Sequence, residues 1–125
     1  MKNINDRIRA CSTKPAQKTE RGWEKTYIFP SDFLGFQGHF PENPILPAVV
    51  QVMMAREAVT EQIGQEYDVI KLSRAKYMKV ITPGIPVTVI WTIKEQPDSI
   101  TCNCILETEG SPASKLILIL TKKQG

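Results

Sequence analysis

Apolar and polar positions alternate from Trp23 to Phe29, with Trp23, Lys25, Tyr27 and Phe29 on one side and Glu24, Thr26 and Ile28 on the other. A period of two, rich in aromatic and β-branched residues, predicts a strand. Pro30-Ser31-Asp32 ends it. Residues 30–44 hold three prolines, two glycines and several aromatics, which predicts a long structured loop. Leu46–Ile63 then reads as one helix. Pro47 suits its first position and Gly64 its C-terminal cap. Three valines near its start favour a strand locally, but eighteen residues are too many for a typical one. Its first half (Ala48, Val49, Val50, Val52, Met53, Met54, Ala55) is apolar on nearly every face, so other elements must wrap it.

The remaining pattern supplies the wrapping. Asp68–Ile81, Val87–Lys94, Ile100–Glu107 and Ala113–Thr121 read as strands. They are separated by Pro83-Gly84, by Gln96-Pro97-Asp98-Ser99 and by Gly110-Ser111-Pro112, each a plausible turn. Short connections between successive strands imply an antiparallel sheet. The predicted architecture is α+β, one antiparallel sheet curled around one long central helix. Residues 1–22 are polar and loosely patterned. They read as an N-terminal arm, with at most a short helix at Ile4–Cys11, ahead of a single domain over 23–125. The stripes Val87, Val89, Trp91, Ile93 and Leu116, Leu118, Leu120 are expected in the core or on a dimer surface.

Composition narrows the classes of function. The chain has 125 residues, enough for one domain and too few for two. A net charge of +3, with both signs scattered, is too mild for a nucleic-acid partner. No segment approaches the roughly 20 apolar residues of a membrane span, and the start lacks the apolar run of a signal peptide. A cytoplasmic protein with no membrane partner is expected. Cys11, Cys102 and Cys104 are odd in number. Cys102 and Cys104 would share one strand face about 6.5–7 Å apart, at or beyond disulfide reach. With a single distant histidine they make a poor zinc site, so two buried thiols and no metal are expected.

The only histidine lies in "FQGHFPENPILP", residues 36–47. This stretch resembles the motif of the 3-hydroxyacyl-[acyl-carrier-protein] dehydratases, the FabA/FabZ family, whose pattern is roughly F-x-G-H-F-P-x-x-P-x-x-P-G-V followed by a helix. Downstream, "SRAKYMKVITPGIPV" (73–87) is similar to the family's strand K-A-R-F-x-R-x-V-x-P-G-D. The resemblance spans roughly residues 23–122 and implies the hotdog fold, paired into a dimer. It also implies acyl-thioester chemistry in fatty acid biosynthesis, with acyl carrier protein as partner and no cofactor.

Residue by residue, the resemblance makes His39 the base that removes the C2 proton. It makes the backbone N–H of Ala48, where the family has Gly, the group that polarises the thioester carbonyl at the helix N-terminus. Gly38, Phe40, Pro47 and Val49 would surround the acyl thioester. Arg74, Lys76 and Lys79 match basic positions where the acidic carrier protein docks; read without the family they are a solvated strand face. The family's acid falls at Met53, so the carboxyl is missing. Glu57, one turn further, is a candidate substitute, but a turn of about 5.4 Å is a large displacement for proton transfer. A partner such as Arg56, or solvent, is its simpler fate. Three readings stand: a dehydratase active by itself, an impaired hotdog subunit working with an acid-bearing paralogue, or an acyl or carrier-protein binding module or hotdog thioesterase. A homodimer and a heterodimer are both compatible with the sequence.

Overall fold

A computed structural model of the chain describes residues 3–33 and 44–123. Gly38, His39 and Phe40 lie outside the described residues. Two helices and six strands follow in the order α1 (Ile4–Ala10), β1 (Gln17–Thr19), β2 (Gly22–Tyr27), α2 (Ala48–Ile63), β3 (Tyr67–Tyr77), β4 (Val87–Glu95), β5 (Ile100–Thr108) and β6 (Ser111–Lys122). The strands form one sheet in the order β1-β2-β4-β5-β6-β3, antiparallel at every step. The alternation that marks the strands in sequence is the alternation of burial. In β5, Ile100, Cys102, Cys104 and Leu106 are buried while Asn103 is exposed. Both buried thiols are free, and burial pushes Cys102 up to about 12 and raises Cys104 well above its usual range.

The predicted helix forms one residue shorter at its start than Pro47 at a first helical position would give. Pro47 is the N-cap, with extended backbone (ψ 152°), and Ala48 is the first helical residue. At the other end Gly64 closes α2 in the left-handed region, φ 79°, and its N–H donates to the Thr60 carbonyl at 2.8 Å. Val50, Met54, Ala55, Ala58 and Val59 pack onto the inner face of the sheet against Tyr27, Val89, Trp91, Leu116 and Leu118 in one core.

β3 stops at Tyr77, four residues before the expected Ile81. Beyond it the N–H groups of Met78 and Lys79 both donate to the Ala113 carbonyl, so the ladder cannot continue in register. The chain then leaves the sheet and brings buried Ile81 to the start of α2, where its carbonyl accepts from the Leu46 N–H at 2.8 Å. The segment read as an arm lies against the domain. Ile8 of α1 is fully buried in the common core, and β1 extends the sheet beside β2. Among the described residues, no helix is long and apolar enough to cross a membrane.

Candidate functional site

The first turn of α2 is held in place before any chemistry is considered. Buried Gln51 donates from Nε2 to the Leu46 carbonyl at 3.3 Å and accepts from the Ser114 hydroxyl at 2.7 Å. The helix start is therefore pinned to β6 on one side and to the Ile81 carbonyl on the other. Val50 and Gln51 N–H both donate to the Pro47 carbonyl, and no side chain caps the helix among the described residues. The N–H of Ala48 belongs to the opening turn, where amides have no intrahelical acceptor and the helix dipole presents positive charge. This is the feature that an oxyanion of an acyl thioester needs.

The helix was expected to be wrapped on every side. Among the described residues, the sheet wraps it on one. Val49 is 65% exposed, and Val52 and Met53 are half-buried. Val49, Met53 and Arg56 follow at spacings of four and three, which is one stripe along a helix. The sheet covers the opposite stripe; among the described residues Val49 stays exposed, while Val52 and Met53 are half-buried against the edge of the core. Met53, where the sequence motif leads one to expect the family's acid, is half-buried one turn from Val49.

Glu57 is buried, with 7% exposure. Arg9 of α1 grips its carboxylate, Nε to Oε2 at 2.8 Å and Nη2 to Oε1 at 3.3 Å. Arg56 adds a bond at 3.3 Å, the partner its sequence position suggested. Arg9 is 48 positions away in the chain, and no local pattern announces the contact. In return, Glu57 raises the Arg9 guanidinium above its usual range. Both oxygens of this carboxylate are engaged by guanidinium groups, so it serves as a structural ion pair between α1 and α2.

A second buried charge also escaped the sequence. Lys25 lies on the inward face of β2, 6% exposed, paired with Glu61 of α2 and lying 5.8 Å from the Tyr27 ring centre. The signal was present in the alternation, since a lysine between Trp23 and Tyr27 on a buried face requires a carboxylate. These contacts join α1, β2 and the C-terminal half of α2. They are structural, and among the described residues they involve none of the first turn of α2.

The basic candidates separate in space. Lys79 is engaged: its ammonium donates to the Thr108 carbonyl at 2.9 Å and to the Ser111 hydroxyl at 2.6 Å, tying down the β5–β6 turn. Arg74 and Lys76 lie on the outer face of the sheet. With Arg21 and Lys115 they rim a cavity of about 430 Å3 whose lining includes Ile90, Ile105 and Ile117. Among the described residues, no group of three or more His, Cys, Asp and Glu side chains is arranged to hold a metal ion.

Residues 15–115 match the ApeI-like family, described as ApeI dehydratase. The 3-hydroxyacyl-[acyl-carrier-protein] dehydratase FabZ of Lactobacillus helveticus (strain DPC 4571) is 27% identical over 95 residues, which cover 68% of this chain. The chain spans 64% of the length of that relative. Among solved structures, the dehydratase heterocomplex ApeI:P from Xenorhabdus doucetiae aligns with a TM-score of 0.71 and 18% identity over 88% of this chain and 96% of that one. An uncharacterized protein from Erwinia carotovora subsp. atroseptica aligns at 0.66 with 23% identity, over 87% and 91% of the two chains. A hypothetical thioesterase with coenzyme A from Streptococcus pneumoniae aligns at 0.68 with 9% identity, over 96% and 94%. At these identities the structural likeness establishes the shared fold, the hotdog.

Proposed function

The chain belongs to the ApeI-like dehydratase family, and on that premise we propose that it is a subunit of a cytoplasmic 3-hydroxyacyl thioester dehydratase, impaired alone and completed by an acid-bearing hotdog paralogue. One observation carries this reading. The motif puts the family's acid position at Met53, half-buried on α2, while the nearest carboxylate on the helix, Glu57, is bound by Arg9 and Arg56.

The reaction is an elimination. His39 takes the proton from C2, the C2–H electron pair becomes the C2–C3 double bond, and the C3–O bond breaks. The leaving hydroxyl needs a proton to depart as water. Negative charge builds on the thioester oxygen during the first half, and the Ala48 N–H, backed by the helix dipole, stabilises it there. Pro47 sets the direction of that amide, and Val49 offers an apolar wall to the acyl chain; Gly38 and Phe40 are assigned to substrate binding by the motif alone. Without a carboxyl in place of Met53, the second half lacks its general acid, a loss worth about 10²–10⁴-fold in rate.

The surface supports an assembly. The exposed large apolar side chains include Val49 on α2 and Ile70, Leu72, Tyr77, Met78 and Val80 along and just after β3. Such a band suits a subunit interface, and an acid donated across it would reach the stripe on which Met53 lies. The likeness to a dehydratase heterocomplex fits this picture. An acidic acyl carrier protein would meet Arg74 and Lys76, reinforced by Arg21 and Lys115, with Lys79 contributing less because its ammonium is already engaged. The loss of the acid also favours a second reading, a module that binds acyl thioester without chemistry.

The deciding experiment uses a partner. This chain is co-expressed with a hotdog paralogue that keeps the acid, and His39→Ala is introduced here only. Turnover of a 3-hydroxyacyl thioester by the isolated heterodimer should fall by orders of magnitude. Unchanged turnover would mean that this subunit contributes no base, and the binding module becomes the better description.

A further inference from the structure

β3 is an outer strand of the sheet, 11 residues long, and the next strand inward is β6. The register with β6 sorts its side chains onto two faces. Val69, Leu72 and Ala75 stand opposite Leu120, Leu118 and Leu116, which are buried on the helix side. Asp68, Lys71, Arg74 and Lys76 stand opposite Thr121, Ile119, Ile117 and Lys115 and occupy the outer face. The apolar half of this edge invites another strand. Among the described residues no strand pairs with its other side, and an edge of this length is a template for pairing.

The charged half is selective about which strand. Lys71, Arg74 and Lys76 are exposed, and among the described residues none of them is in an ion pair. If two copies of this chain met edge to edge, each would bring these three cations and one carboxylate, Asp68, to the same outer face. At most two of the six cations would find an Asp68 across the seam. Paired strands lie about 4.8 Å apart, and like charges at that separation oppose pairing. Lys115, one strand further in, adds to the same field.

We propose that the β3 edge discriminates against a second copy of this chain and selects a hotdog chain whose own edge strand carries carboxylates on its outer face. The inference rests on the reading that a paralogue completes the site, and it names what distinguishes that paralogue from a copy. The acid missing at Met53 and the uncompensated cations on β3 make the same demand, because a homodimer would be deficient at both places.

The test needs only this protein and two variants of its outer face. Wild-type chain is mixed with a differently tagged Lys71→Glu/Arg74→Glu/Lys76→Glu variant, and the species are counted by native mass spectrometry at low and high ionic strength. The mixed dimer should exceed either homodimer roughly tenfold at low salt and approach a statistical mixture as salt screens the seam. The neutral Lys71→Gln/Arg74→Gln/Lys76→Gln variant should self-associate about tenfold more tightly than wild type in sedimentation, which covers the case of a misfolded charge-reversed chain. A statistical mixture at low salt, or equal self-association of wild type and the neutral variant, would overturn the proposal. Both readouts are of assembly, whereas the His39→Ala experiment reads turnover, so either idea can fail without the other.

Discussion

Restoring a carboxyl at position 53 is the sharpest perturbation available. Met53 is half-buried at the edge of the core, so Met53→Glu places a carboxyl outside the sealed interior. The cost to folding should stay within about 1 kcal/mol, as for most substitutions outside a sealed core. The gain in rate should be much larger. A general acid typically contributes about 10²–10⁴-fold, and each factor of ten is about 1.4 kcal/mol of barrier, so roughly 3–5.5 kcal/mol is at stake. Glu57 cannot supply this at present. Its Cα is four residues on, about 6 Å along the helix axis, and its oxygens are bound by Arg9 at 2.8 Å and Arg56 at 3.3 Å. The new carboxyl would have Arg56 three residues on, already bonded to Glu57, and partial burial would raise its pKa, which suits a donor. The assay is kcat/KM for dehydration of a 3-hydroxyacyl thioester by the purified variant, with Met53→Gln as the uncharged control. The expected result is a rise of two orders of magnitude or more for Glu and none for Gln. No rise in a folded Met53→Glu protein that still binds acyl thioester would refute the reasoning, and would shift attention to the methyl of Ala48, which Ala48→Gly would then test.

Three other outcomes follow from the same structure. Arg9→Ala leaves the buried Glu57 carboxylate with Arg56 alone, and should lower unfolding free energy by about 1–3 kcal/mol, less than for a fully buried pair because Arg9 is half-exposed; a urea titration showing no loss would contradict the assigned partnership. Gly22 sits at φ +124°, and an added Cβ would lie 2.6 Å from the Trp91 carbonyl oxygen and 2.8 Å from Thr92 Cγ2, so Gly22→Ala should cost roughly 1–3 kcal/mol, read as a lower urea midpoint. Burial opposes ionisation of Glu61, but the Ala16 N–H and Lys25 outweigh it and hold this carboxyl below its usual 4.5. Its stabilising contribution is therefore fully present above that value and is lost as pH falls through the lower folded pKa, so Glu61→Gln should flatten the acid limb of a stability profile measured from pH 6 downward.

Much of this molecule was legible in one dimension. Alternation marked the strands because every second residue of a half-covered sheet must be apolar, as Ile100, Cys102, Cys104 and Leu106 show. Helix α2 was recognisable from its length and from Pro47 and Gly64, whose backbone preferences act locally. The identity of Met53 is a fact of sequence, and the absence of a carboxyl there needs no coordinates. What periodicity could not give is partnership. It placed Lys25 on the inward face without naming Glu61, and it left Glu57 to Arg56 or solvent when Arg9, 48 positions away, holds it. Nor could it show that Lys79 is tied to a turn while Arg74 and Lys76 stay exposed, because that follows from where the chain leaves β3 to cross to α2. The sequence showed a helix start that is apolar all round. Only the tertiary arrangement decided which stripe the sheet covers, since a single curled sheet encloses a helix on one side: among the described residues it buries Val50 and Met54, leaves Met53 half-buried and leaves Val49 exposed.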